Sequence, residues 1–208
     1  MGQPFAVRGK LEPLTGKINS AAVLVPISEV LMVGPTLFRR MLGQAMDQLP
    51  AAVRAVHDTQ GRIEVTGTAE VDAKPGLLPW LICAALGLPA AGSGVPVRIV
   101  FEMGPEGDYW ERHIGTRRYA SHFVAGPRAG VVIERMGAFA SHFVLTATAD
   151  RLYLTLDRCA FLGLPLPSWL APRCSAEEAE IDGALLFDVP IDLPLLGRII
   201  RYRGIVRP

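Results

Sequence analysis

The hydrophobic period of the chain changes near Val95, and this change constrains the fold more than any other feature of the sequence. Beyond Val95, apolar and polar residues mostly alternate, and short segments with glycine, proline or aspartate separate the alternating stretches. Alternation with a period of two is typical of strands that bury one face. We therefore predict strands at 97–103, 109–114, 117–124, 131–136, 139–148, 151–161, 174–181, 184–193 and 198–206. Because the turns between most of them are short, neighbouring strands are expected to pair antiparallel.

Most residues between 36 and 95 follow a helical period instead. Thr36 is a suitable N-cap for a helix over 36–49, in which apolar residues recur every three or four positions. A short helix is predicted at 51–57, and an apolar helix is predicted at 77–88. Between these two helices, the alternating residues 62–71 predict a further strand with one face in solvent.

These elements predict an α+β fold, mainly an antiparallel curved sheet or barrel-like meander of eight to ten strands, with two helices near the N-terminus. Residues 36–208 are expected to form this single β-rich domain. Residues 1–35 lack sustained periodicity and are expected to be an N-terminal extension, with an edge strand around 21–25 as one option. The proline-rich segment 163–173 is expected to cross an edge or an end of the sheet.

Two architectures fit this order of elements. One is a lipocalin-like meander barrel, and the other is a helix-grip sheet wrapped on a long helix. The barrel is favoured because no long amphipathic helix follows the last predicted strand. Closure would also remove exposed sheet edges.

The composition argues against several classes of protein. Half of the 208 residues are hydrophobic, and 21 Lys and Arg against 20 Asp and Glu give a net charge of +1. Such a chain buries a core, and it has no bulk field that attracts nucleic acid. The uncharged apolar run at 77–88 is shorter than the roughly 20 residues that span a bilayer, so no membrane span is expected.

The cysteines indicate the compartment of the protein, and the absence of known motifs excludes several classes of enzyme site. Cys83, Cys159 and Cys174 are odd in number and widely spaced, which indicates a reducing compartment and hence the cytoplasm. The sequence contains no Walker loop, Rossmann fingerprint, His-Glu-x-x-His or Gly-x-Ser-x-Gly motif. We expect no cofactor and no metal, and no motif assigns a catalytic residue.

The strand register predicts which side chains face the interior. Residues 119–124 and 139–144 repeat almost letter for letter, which helps to align their strands. With turns centred at 115–116, 137–138 and 149–150, and with Val124 opposite Val131, opposed residues share a face. The face that collects the aromatic side chains is the predicted interior. Its members are Trp110, Arg112, Tyr119, Ser121, Phe123, Val132, Glu134, Met136, Phe139, Ser141, Phe143, Leu154, Leu156 and Arg158.

A row of polar residues crosses this predicted interior. Ser121, Glu134, Ser141 and Arg158 lie side by side in it, and Arg112 lies one row away. A buried carboxylate must be paired, hydrogen-bonded or protonated, because an isolated buried charge is too costly. Glu134 therefore has two interpretations: it forms a structural ion pair, or it acts as a general base or ligand anchor in an apolar cavity.

Histidines lie mainly on the opposite face, which is predicted to contact solvent. Strand spacing puts His122 and His142 about 10 Å apart, too far to share one metal ion. His57 and His113 have no companions at ligand spacing, so we expect them at the surface or at helix caps.

Several segments in combination resemble a known family. They begin at Phe38, Leu49, Val95, Trp110, Ile133, Leu162, Leu170, Phe187 and Leu195. Over about 36–207 the chain resembles an uncharacterised bacterial family of domains of unknown function, which occur alone or fused C-terminal to saccharopine-dehydrogenase-like or epimerase-like Rossmann domains. The resemblance supplies no catalytic residues. It implies a soluble domain that works beside a Rossmann-type oxidoreductase.

Three functional hypotheses remain open at this point. The first is a domain that binds a small, largely apolar molecule in the concave face of the sheet. Its predicted ligand-binding residues are Trp110, Arg112, Tyr119, Ser121, Phe123, Glu134, Ser141, Phe143 and Arg158, with Phe139 as a further contact. The second is a metal-independent isomerase or cyclase that uses the same cavity, with Glu134 as the candidate catalytic group. The third is an interaction module with a filled interior, which docks a Rossmann-type oxidoreductase through 77–88.

Overall fold

The computed structural model describes residues 34–208, and the structural statements below concern this part of the chain. Two short helices, α1 (Leu37–Leu42) and α2 (Ala51–His57), precede the first strand, and a 3₁₀ helix (Gly43–Gln48) joins them. A third helix, α3 (Leu77–Ala85), follows the first strand. The predicted edge strand around 21–25 lies outside the described residues. The division of the chain at residue 35 stays a prediction.

Eleven strands make up the described sheet, and their bounds agree with the predicted strands to within a few residues at most ends. They are β1 (Gly61–Ala73), β2 (Gly92–Gly104), β3 (Gly107–Ile114), β4 (Arg117–Ala125), β5 (Val131–Met136), β6 (Phe139–Ala147), β7 (Arg151–Phe161), β8 (Leu164–Pro165), β9 (Arg173–Ile181), β10 (Ala184–Leu193) and β11 (Gly197–Arg207).

Ten of these strands form a closed antiparallel barrel. Strands β1 to β7 pair in sequence order, β9 pairs with β7, and β11 returns to pair with β1. The two-residue strand β8 pairs with β7 outside this ring, so the proline-rich segment lies at an edge as predicted. The barrel-like fold is therefore confirmed. The helix-grip alternative is wrong, because the last residues form β11 instead of a helix.

Helix α2 has its predicted bounds, whereas α1 and α3 are shorter than predicted. Thr36 caps α1 as expected, and its Oγ1 accepts a hydrogen bond from the Arg39 backbone N at 3.2 Å. The α-helix ends at Leu42 because Gly43 has a φ of 56°, which leaves the α-helical conformation. Helix α3 ends at Ala85 instead of Leu88. Within residues 34–208, no helix has the length and apolar character needed to cross a membrane.

The two ends of the barrel are covered differently. Helix α1 packs against β4 and β6, helix α2 packs against β9 and β10, and their side chains Phe38 and Val53 are fully buried. We call this the closed end. At the opposite end, α3 packs against β11, and α3 and residues 166–172 contribute side chains to the barrel interior. We call this the open end.

The pairing of β4 with β5 differs from the predicted register by two residues. Phe123 lies opposite Glu134, where Ser121 was expected. Because side chains alternate with a period of two, a shift of two residues leaves every side chain on its predicted face. The assignment of interior residues in these strands is unaffected.

Arg158 was predicted inside the barrel, and this prediction is wrong. The ladder between β6 and β7 passes from Phe143 opposite Leu156 to His142 opposite Arg158, so Asp157 is an extra residue in β7. Such a β-bulge reverses the alternation beyond it. Cys159 consequently faces the interior, and the side chain of Arg158 is 61% exposed.

A close approach of β1 to β11 generates a stability prediction. A Cβ atom at Gly67 would lie 1.9 Å from the backbone oxygen of Ile205, so β11 would have to move. We expect Gly67→Ala to lower the free energy of unfolding by about 3 kcal/mol, measured by chemical denaturation. Thr66→Ala, at the exposed neighbouring position, should lower it by less than about 1 kcal/mol. Equal effects of the two substitutions would contradict the close approach.

Candidate functional site

The barrel interior contains a cavity of about 440 Å³. Most of the side chains that line it are apolar, and they come from most of the strands, from α3 and from the segment after β8. They include Ile82, Leu86, Leu88, Phe101, Trp110, Phe123, Phe139, Phe143, Leu154, Leu156, Leu166, Leu185, Phe187, Ile191 and Ile199. A cavity of this size and composition is typical of sites for small molecules. Its presence argues against the hypothesis of an interior filled by side chains.

Two opposite charges face each other inside the cavity. Arg112 Nη2 lies 3.6 Å from Glu134 Oε1, and the two side chains are 12% and 17% exposed. Arg112 Nη1 also donates a hydrogen bond to Ser121 Oγ at 2.7 Å. The distance to Glu134 is longer than a normal hydrogen bond. The guanidinium and the carboxylate are therefore paired by charge, and each keeps hydrogen-bonding capacity for another group.

Aromatic rings surround the guanidinium of Arg112. Its Cζ lies 4.9 Å from the ring centroid of Trp110, 5.3 Å from that of Tyr119 and 6.0 Å from that of Phe123. A cation over the face of a ring is attracted by the ring quadrupole, most strongly when water is excluded. These contacts hold the guanidinium in place although its ion pair with Glu134 is loose.

The other polar groups near this pair are held neutral. Burial raises the pKa of the Cys174 thiol to about 12, with the charge of Glu134 acting in the same direction. Burial also raises the pKa of the Cys159 thiol and those of the phenols Tyr119 and Tyr202. Tyr119 Oη donates to Tyr202 Oη at 3.1 Å. At neutral pH this part of the cavity therefore holds one cation and one anion.

A second polar cluster lies at the closed end. His57 is 1% exposed, its Nε2 contacts Glu178 Oε2, and its ring stacks on Phe38 with centroids 4.3 Å apart. The expectation that His57 lies at the surface is therefore wrong, although His57 is the last residue of α2. Asp108 is fully buried nearby on β3, and neither of its carboxylate oxygens has a hydrogen-bond partner within the described residues. Burial raises its pKa to about 6, with His57 and Arg40 acting in the opposite direction.

Large apolar side chains are exposed around the open end. On α3 these are Leu77, Leu78, Trp80 and Leu81, and on the segment after β7 they are Leu162, Leu164, Trp169 and Leu170. The same two segments contribute half-buried side chains such as Ile82 and Leu166 to the cavity lining. The apolar lining of the cavity thus continues onto an exposed apolar rim.

The structure brings together most of the residues predicted to form the site. Trp110, Arg112, Tyr119, Phe123, Glu134, Phe139, Ser141 and Phe143 all line the cavity. Ser121 is buried behind Arg112 and contacts it without lining the cavity. Arg158 lies outside the barrel, and Cys159 takes the interior position opposite Ser141.

The part of the cavity lining that comes from β10 and β11 was not predicted from the sequence. Phe187, Val189 and Ile191 on β10 line the cavity, as does Tyr202 on β11. The alternation of apolar residues in β10 was a usable signal for its inward face. The partnership of His57 with Glu178 had no local signal, because 121 positions separate the two residues.

The comparisons with known proteins give one match. A family model described as "Domain of unknown function (DUF4166)" matches residues 49–205. No curated protein and no solved structure matches the chain.

The buried carboxylate of Asp108 generates a prediction about pH. Between about pH 4 and pH 6 the folded chain keeps a proton on Asp108 that the unfolded chain has lost. Stability should therefore fall as the pH rises through this interval. We expect Asp108→Asn to be more stable than the wild type by about 3 kcal/mol at pH 7 and equal to it below about pH 4. Denaturant unfolding at a series of pH values measures this difference.

Glu106→Gln is the matched control for this experiment. It removes a carboxylate that lies in the same hairpin but is exposed to solvent. Its stability should follow that of the wild type from pH 4 to pH 7. A difference between Asp108→Asn and the wild type that does not change with pH would contradict the assignment.

Proposed function

The chain belongs to the DUF4166 family of domains of unknown function, and from its cavity we propose that it binds a small, largely apolar molecule inside the barrel. The observation that carries this proposal is an apolar cavity of about 440 Å³ with one loose ion pair in its wall. Protein interiors are normally packed to the density of organic crystals, so a space of this size in a core is unusual. A ligand would restore the missing contacts.

The lining gives the ligand an orientation. Its apolar body contacts aromatic and aliphatic side chains such as Phe143 and Phe187, and its polar end contacts Arg112 and Glu134. A cavity of about 440 Å³ lies within the range of volumes that hold small-molecule ligands in proteins. The ligand is therefore a small molecule.

The open end gives the ligand a route into the barrel. Helix α3 and the segment 162–172 border it, and both present apolar side chains to the cavity and to solvent. An apolar molecule that enters here keeps contact with apolar surface along its path. The closed end is sealed by buried side chains such as Phe38 and Met46.

Filling the cavity with a side chain tests the proposal. Ala176 on β9 lines the cavity, so Ala176→Phe should occupy part of its volume. We expect the wild type to bind the uncharged fluorescent probe N-phenyl-1-naphthylamine, and Ala176→Phe to bind it at least tenfold more weakly, which is about 1.4 kcal/mol. Fluorescence titration measures both affinities.

Ser175→Phe is the matched control, because Ser175 is the neighbouring residue of β9 and its side chain is exposed. This variant should bind the probe like the wild type. A folded wild-type protein that does not bind the probe would contradict the proposal. Equal losses of binding in Ala176→Phe and Ser175→Phe would place the probe outside the barrel.

A further inference from the structure

We infer that the polar end of the bound molecule is uncharged and that it both donates and accepts hydrogen bonds, as a primary amide or an alcohol does. This inference rests on the proposed function, because it concerns the chemical class of the ligand of that same cavity. Two features support it: the charges of Arg112 and Glu134 balance each other, and both side chains have donor or acceptor groups without a hydrogen-bond partner among the described residues. A carboxylate ligand is the natural competitor, since arginine binds carboxylates well.

The charges of the site are already balanced without a ligand. Arg112 and Glu134 carry one positive and one negative charge, with 3.6 Å between the nearest nitrogen and oxygen. A ligand carboxylate beside Arg112 would also lie close to Glu134, and the repulsion would offset much of the attraction. It would in addition lose its hydration on entering an apolar cavity. A ligand ammonium group would be attracted by Glu134 but repelled by the neighbouring Arg112.

Among the residues that the structure describes, no further charge of the lining is free to neutralise an ionised ligand. The phenols of Tyr119 and Tyr202 and the thiols of Cys159 and Cys174 have raised pKa values and stay neutral. The remaining charged groups of the lining already have partners: Glu178 contacts His57, and Glu177 accepts a hydrogen bond from Arg151 at 2.8 Å.

The hydrogen-bonding groups that remain on Arg112 and Glu134 favour a ligand group that both accepts and donates hydrogen bonds. Among the described residues, the one side-chain hydrogen bond of Arg112 goes to Ser121, so other guanidinium N–H groups are available to an acceptor. The Glu134 carboxylate has no hydrogen bond within the described residues and is available to a donor. A primary amide carries an acceptor and a donor side by side, and it adds no charge.

The test compares two ligands that differ only in their polar end. Decanamide and decanoate are each titrated against bound N-phenyl-1-naphthylamine at pH 8, and probe displacement gives their affinities. For the wild type we expect decanamide to bind at least tenfold more tightly than decanoate. Tighter binding of decanoate to the wild type would overturn the inference without the need for any variant.

Glu134→Gln should remove this preference. The substitution keeps the shape of the side chain and its ability to accept a hydrogen bond, but it leaves the charge of Arg112 unbalanced. We expect the affinity for decanoate to rise at least tenfold, while that for decanamide changes less than threefold. Glu106→Gln removes one exposed negative charge as a control, and it should leave both affinities unchanged.

A reciprocal variant covers the case in which Glu134→Gln fails to fold. Arg112→Gln leaves the Glu134 carboxylate unbalanced, so we expect it to bind decylammonium at least tenfold more tightly than the wild type does. Thermal denaturation establishes that each variant is folded. Unchanged ligand preference in a folded variant overturns the inference, whereas absence of probe binding to the folded wild type overturns the proposed function itself.

Discussion

The antiparallel ladder between β1 and β11 is the constraint on which the cavity depends. It extends from Thr66 opposite Arg207 to Ala73 opposite Ile200, and it joins the first strand of the barrel to the last. Closure at this ladder fixes the number of strands at ten, and the number of strands sets the width of the barrel. An eight-stranded barrel is filled by its side chains or holds one small ligand, and the diameter grows with the number of strands, so ten strands leave space inside.

The inner wall of this barrel combines two kinds of polar site with different consequences. Arg112 and Glu134 balance each other in the middle of an apolar lining, and the Trp110 ring and the Ser121 hydroxyl hold Arg112 in place. At the closed end, Asp108 is buried without a hydrogen-bond partner among the described residues. Such an unpaired buried group lowers stability, so other contacts of the fold must offset its cost.

The strands of the barrel could be predicted from the sequence because the signals for strands are local. Alternation and short turns are properties of neighbouring residues, and they identified nearly every strand of the barrel. The interior face in β3 to β6 was also predictable, because the error in the β4–β5 register was an even number of residues. Closure itself was expected only as one option, since the ladder of β1 with β11 joins residues more than a hundred positions apart.

The parts of the site that could not be predicted depend on contacts distant in sequence or on backbone irregularity. His57 lies in a short helix with no pattern that indicates its burial, and its partner Glu178 lies on β9. Asp157 resembles any other polar residue of a strand, so the alternation alone gives no sign that it is unpaired. The bulge at this residue determines the charge balance of the cavity. If Asp157 paired opposite His142 in a regular ladder, Arg158 would point inward, and two cations would face the one carboxylate of Glu134. The neutrality of the cavity thus follows from the pairing of β7 with β6 as much as from the chemical identity of its residues.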